Sequence, residues 1–242
     1  SYGIGDACAL EWDDNHKRIW TTAHPEVDVK RYTRVIEGAD DYQEIFKLHN
    51  LSMWSDMEKD EVIGGLRKFA AAYASWHEGE KNSAPKEDIS AKEIHSVIVE
   101  KQSQVVQRLN ENIEYLNEND EAWNCFKLAN TAMLMQMIIA RDPDYQKNRD
   151  ISQFPTDNTS LYDDIEEFNN KGKDKNNKGK DKYAYYPFQL AFMLMNIRST
   201  FENDDESKDI VDLIWFPTGG GKTEAYLALT ALVIIARRRR HR

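Results

Sequence analysis

Between residues 40 and 141, apolar positions recur every three or four residues, with charged and amide side chains filling the intervals. That period predicts amphipathic helices. Val62, Leu66, Phe69, Tyr73 and Trp76 form one stripe. Ser55-Asp56-Met57-Glu58 is a capping-box pattern that opens such a helix, and Gly79 is the expected stop. Gly64 and Gly65 lie inside it, which predicts close packing or a bend. Ser90-Ala91-Lys92-Glu93 repeats the capping pattern ahead of Ile94, Val97, Ile98, Val105, Leu109, Ile113 and Leu116. A third helix is expected from Asn119-Asp120 to Arg141, ended by Asp142-Pro143. Its Met133, Met135 and Met137 sit among Leu128, Leu134, Ile138 and Ile139 and read as core filler.

The ends of the chain follow other patterns. Residues 1–36 read as strands and turns, with β-favouring runs at 18–22 and 27–32 around Pro25. Residues 151–182 contain a short helix candidate at 161–168, then the repeat Lys171-Gly172-Lys173-Asp174-Lys175 and Lys178-Gly179-Lys180-Asp181-Lys182. The repeat lacks apolar residues to offset its ordering entropy and reads as a flexible linker. Pro187 is placed to start a helix with Leu190, Leu194 and Ile197 on its apolar face. Val211 to Phe216 reads as a buried strand, and Ala225 to Ala236 as an apolar helix. The fold class expected is α+β: a β-rich segment over 1–36, a helical domain over 37–150, a linker over 151–182 and a strand–loop–helix region over 183–242.

Composition narrows the chemistry. The net charge of −10 means that any nucleic-acid contact must be a local patch. Cys8 and Cys125 make no disulfide framework, and no Cys/His spacing suggests zinc. No signal-peptide pattern stands at the N-terminus, and the longest apolar stretch is shorter than the ~20 residues a membrane span needs. A cytoplasmic protein without a membrane segment is expected.

The chemistry concentrates in Pro217-Thr218-Gly219-Gly220-Gly221-Lys222-Thr223. Glycines let consecutive N–H groups turn inward around an anion. The helix that follows presents further N–H groups and a favourable dipole. Gly219, Gly220 and Gly221 would line a phosphate loop. Lys222 would reach the β- and γ-phosphates of ATP, and the Thr223 hydroxyl would ligate magnesium. Phe216 occupies the position where the strict phosphate-loop pattern has glycine. Upstream, Gln189 offers a donor and an acceptor suited to the N6/N7 edge of adenine. Phe188 is the adjacent aromatic that could stack on the base. Asp120-Glu121-Ala122-Trp123 imitates a magnesium-holding Asp-Glu box, but it precedes the loop and reads as an acidic first helical turn. No catalytic residue is assigned within the chain. The basic tail, residues 237–242, either complements the helix dipole or touches nucleic acid.

Three segments together carry a resemblance. Tyr186-Pro187-Phe188-Gln189-Leu190-Ala191-Phe192 resembles the Arg-Pro-Phe-Gln-Leu-Ala-Phe block of the DrmA proteins, large superfamily 2 helicases of bacterial DISARM anti-phage systems. Residues 215–227 look like their motif I, and Phe126 to Met133 resembles a segment before their helicase core. Tyr186 stands where that family has arginine. The resemblance implies ATP-dependent translocation on DNA, single-stranded or at a duplex end, and a DrmB partner subunit. It implies that residues 183–242 begin a RecA-like ATPase domain, with the chain the N-terminal part of a longer enzyme. The Asp-Glu box and arginine fingers would then lie beyond residue 242. The alternative is a helical module that binds DNA or a partner while the nucleotide loop stays idle.

Overall fold

The computed structural model describes residues 10–13, 15, 17–21, 36, 38–85, 89–141, 183–214 and 221–240. The chain divides into two compact units, residues 1–32 and 33–242. In the first, strands β1 (Leu10–Trp12) and β2 (Ile19–Thr21) pair antiparallel, with Glu11 opposite Trp20. The Asp13 carboxylate closes the turn by accepting the Lys17 N–H at 2.7 Å. The run expected at 18–22 is therefore a strand, and β1 is one the residue pattern had not singled out. The run at 27–32 lies outside the described residues.

The second unit is helical among its described residues. A 3-10 turn (Gln43–Phe46) leads into α1 (Leu48–Leu51), then α2 (Lys59–Lys81), α3 (Ile89–Glu118) and α4 (Asp120–Arg141). After residue 182 come α5 (Pro187–Leu194), α6 (Ile197–Phe201), a 3-10 turn (Glu206–Asp209) and α7 (Lys222–Arg240). The linker at 151–182 and the end at Asp142-Pro143 lie outside the described residues.

The three long helices form where their stripes predict, but the starts of α2 and α3 differ from expectation. Ser55 does not cap α2: its hydroxyl accepts the Met57 N–H at 3.0 Å in a local turn. Glu58 is the cap instead, and the Glu61 carboxylate returns to the Glu58 N–H at 2.9 Å. A second acid three residues along, Glu61, could serve the same reciprocal cap, so the box slides forward. Ser90 lies inside α3 rather than at its cap. Gly79 does not stop α2; the Asn82 amide caps the end by donating to the Glu78 carbonyl at 2.8 Å. Asn119 does cap α4, its side-chain oxygen accepting the Ala122 N–H at 2.9 Å. Gly65 is needed where it stands, because a Cβ there would meet Ile45 Cγ2 at 2.3 Å.

One hydrophobic core joins the helices of 37–141 to those of 183–240. Phe46, Ile63, Leu66, Ile113, Leu116, Phe126 and Met133 bury with Leu190, Leu194, Ile197 and Leu232. Met133 and Met137 fill it as expected, and Cys125 is a buried free thiol. The apolar stripe of α3 is only half used: Leu109, Ile113 and Leu116 are buried, whereas Ile94, Val97 and Ile98 are exposed. α7 presents Ala225, Ala228, Leu232 and Ala236 to the core. Three alanines at helical spacing let it lie close against α4.

The strand expected at 211–216 is not formed by its described residues. Residues 211–214 belong to no strand, and Val211 and Leu213 are 93% and 78% exposed. A branched, apolar run becomes a buried strand only where neighbouring strands supply hydrogen bonds and cover. Among the described residues of this unit no strand is assigned. The start of an α/β core is accordingly not visible as a sheet.

Candidate functional site

Two sequence-distant segments meet at the start of α7. The chain enters α5 pinned to the first 3-10 turn. The Tyr185 N–H donates to the Phe46 carbonyl at 2.8 Å, and the Leu48 N–H to the Tyr183 carbonyl at 2.9 Å. Tyr186 then caps α5, with Pro187 in its first turn. The Gln189 side-chain oxygen accepts the Tyr186 N–H at 2.7 Å, and the Gln189 N–H donates to the Tyr186 carbonyl at 2.9 Å. The other end of the same amide, Nε2, donates to the Gly221 carbonyl at 2.7 Å. Gln189 is 2% exposed, so these are buried bonds that hold the last glycine of the loop against the start of α5.

Gly221 has φ = +85°, a left-handed conformation that a side chain would strain. A Cβ placed there would come within 2.7 Å of Gln189 Nε2. Tyr186 Cδ2 and the Glu224 carboxylate border the same point at 3.5 and 3.6 Å. Lys222 opens α7 and Thr223 follows, exposed, in its first turn. Gly219 and Gly220 lie outside the described residues.

Gln189 is bonded once at each end. An amide oxygen has two lone pairs and the NH2 two hydrogens, so one acceptor site and one donor of Gln189 are not used by these two bonds. Phe188 is half-buried and stacks on Tyr186, ring centroids 6.0 Å apart at 18°. Phe188 also lines an apolar groove of about 760 Å³ with Tyr73, Trp76, Phe192, Asp212 and Leu213. Phe192 meets Tyr226 edge to face at 5.7 Å, a second tie between α5 and α7.

Two residues that position this region had not been singled out from the sequence. Arg108 and Asn112, one turn apart on α3, are buried beside its apolar stripe. The Arg108 guanidinium binds both oxygens of Asp212 at 2.8 Å and donates to the Met195 carbonyl at 3.2 Å. The Asn112 oxygen accepts the Arg198 N–H at 2.6 Å, and its nitrogen donates to the Arg108 carbonyl at 2.7 Å. Polar residues four apart on the edge of an apolar stripe were the signal available. The Asp120-Glu121 pair occupies the first turn of α4, where Asp120 pairs with Lys59 at 3.0 Å. At the far end of α7, Arg240 lies 5.5 Å over the Phe201 ring, and Arg237 to Arg240 are exposed.

Over 246 aligned positions, 98% of this chain, it is 29% identical to DISARM protein DrmA of Bacillus paralicheniformis. The chain is similar to DrmA over nearly all of its own length. It spans 20% of that protein's length. No protein-family model matches the chain. No described helix is long and apolar enough to cross a membrane.

Proposed function

We propose that the start of α5 and the glycine loop form the ATP site of a DNA helicase or translocase of the superfamily 2 class that acts in anti-phage defence, as DrmA's name indicates for that protein. The observation that carries this reading is the Gln189–Gly221 hydrogen bond. It joins the amide suited to adenine with the loop suited to phosphates, across 32 residues. A single nucleotide can touch both only if they are adjacent. In this reading Gly219, Gly220 and Gly221 cradle the phosphates, and Lys222 neutralises the β- and γ-groups. The Thr223 hydroxyl is exposed at the helix start and suits one position on magnesium, whose other ligands would be phosphate oxygens and water. Magnesium would supply charge neutralisation between the phosphates. Residues 211–214, apolar and uncovered, suit the first strand of a RecA-like sheet whose neighbours come from elsewhere in a DrmA-length protein. DNA and a DrmB-type subunit are the partners this reading entails.

The test is Lys222→Ala in the full chain. Nucleotide binding measured by calorimetry should fall at least tenfold while the far-ultraviolet dichroism stays unchanged. Unaltered affinity would sink the assignment. A second reading, a helical binding module with an idle loop, is favoured by the exposed Ile89, Ile94, Val97 and Ile98 on α3. It requires DNA or partner binding that survives Lys222→Ala and ignores ATP. Titrating DNA affinity against salt reports whether Arg237 to Arg240 meet phosphates, because such contacts give a steep slope.

A further inference from the structure

We propose that Arg108 is a positioning residue for phosphate binding: through Asp212 it fixes the segment that enters the glycine loop, and so sets the loop's grip on an anion that Arg108 never touches. This rests on the nucleotide-site reading above and concerns its phosphate half. The run before the loop has little else to hold it. Residues 211–214 belong to no helix or strand, and the side chains of Val211 and Leu213 are exposed rather than anchored in the core. Asp212 is the exception, since both its oxygens accept from the Arg108 guanidinium at 2.8 Å. Among the described residues, these are the hydrogen bonds that tie residues 211–214 to the rest of the fold.

The same guanidinium donates to the carbonyl of Met195, which caps the end of α5, at 3.2 Å. The start of α5 holds the other end of the loop, because Gln189 Nε2 donates to the Gly221 carbonyl. The contacts therefore close a circuit. It runs from Arg108 to Asp212, along the chain to Gly221, across to Gln189, down α5 to Met195 and back to Arg108. Stability alone does not account for an arginine at that closing point. Its side chain is buried, and its Nε–H finds no acceptor among the described residues. A buried ion pair with an unmet donor is a poorer filler than apolar side chains of similar volume. What the pair supplies is direction: two parallel N–H···O bonds fix both the place and the orientation of a carboxylate. A loop held at both ends has less freedom to lose when it closes on an anion, and the difference appears as affinity.

The experiment is calorimetry on the full chain with inorganic tripolyphosphate, and with ATP beside it, at a temperature well below the melting point of every variant. Arg108→Ala should weaken both probes by the same factor, about tenfold, because the tether acts on the phosphates and not on the base. Arg108→Lys should recover part of the loss. Asp212→Asn, which keeps the shape and removes the charge, should weaken both probes in the same direction. The double variant Arg108→Ala with Asp212→Ala should bind no more weakly than Arg108→Ala, since the two residues act through one contact. A merely structural role would lower the melting temperature and the binding stoichiometry, while each folded molecule kept the parental dissociation constant. If Arg108→Ala does not fold, Asp212→Asn and Arg108→Lys decide. The proposal is overturned if the folded variants bind tripolyphosphate as tightly as the parent while Lys222→Ala loses it. If Lys222→Ala leaves tripolyphosphate bound as before, the phosphate-site reading itself has failed and the tether goes with it.

Discussion

Arg108 holds Asp212 with two parallel hydrogen bonds of 2.8 Å across 104 residues of chain. One partner projects from α3; the other stands shortly before the glycine loop. Their side chains are only 10% and 21% exposed, so the pair is shielded from solvent and from salt. Through Arg108 the same guanidinium also reaches the carbonyl of Met195, at the end of α5. A helix remote in sequence thus sets where both halves of the candidate site sit.

Removing one member should be costly. Arg108→Ala leaves a carboxylate and a carbonyl without their donor, and is expected to destabilise the chain by about 3 kcal/mol. Arg108→Lys should recover only part of that, since an ammonium cannot span the fork. Urea unfolding measures both. A loss below about 0.5 kcal/mol for the alanine variant would mean that the pair does not hold the segment.

The adjacent glycines of α2 should respond in opposite directions. A Cβ on Gly64 meets nothing within 4 Å, so Gly64→Ala is expected to stabilise by about 0.5–1 kcal/mol through helix propensity. At Gly65 the added carbon would press on Cγ2 of Ile45, a stiff β-branched side chain in the 3-10 turn. Gly65→Ala should cost about 1–3 kcal/mol. Equal and favourable shifts in melting temperature for both variants would contradict the close approach.

A pH dependence attaches to Arg67 and Glu114, which tie α2 to α3 through bonds of 2.7 and 2.6 Å. The Arg67 guanidinium holds the Glu114 carboxyl below its ordinary value of 4.5. A carboxyl depressed on folding contributes stability above its unfolded value, and that contribution disappears as pH falls through the folded value. Both side chains are about half exposed, so solvent screening limits the effect to about 0.5 kcal/mol. Glu114→Gln should therefore be less stable than the parent at pH 7 and equal to it near pH 3. Urea titrations at the two values check the difference; a gap that widens in acid would reverse the sign assigned here.

Much of the local architecture was legible in the residue pattern. The stripes of α2, α3 and α4, the Asn119 cap and the Pro187 start depend on contacts within a few residues, and periodicity reports those directly. The cap slipped from Ser55 to Glu58 because Glu58 and Glu61 could cap the same helix start reciprocally; Ser90 stands inside α3. Residues 211–214 stand outside any strand for a different reason. Branched apolar residues favour a strand only if another strand lies alongside, and that condition is not written in the run itself.

At the candidate site, the residues and their chemical suitability came from the chain alone: an amide in Gln189, glycines through Gly221, an ammonium in Lys222 and a hydroxyl in Thr223. Their proximity did not. Only the packing of α5 on α7, steadied by Arg108 and Asn112 from α3, brings Gln189 to the Gly221 carbonyl. Residue type dictates which bonds a group can make, because donors, acceptors and ring faces are local properties. Which partner each group finds across a hundred residues is decided by the burial of apolar faces elsewhere, and that is a property of the fold.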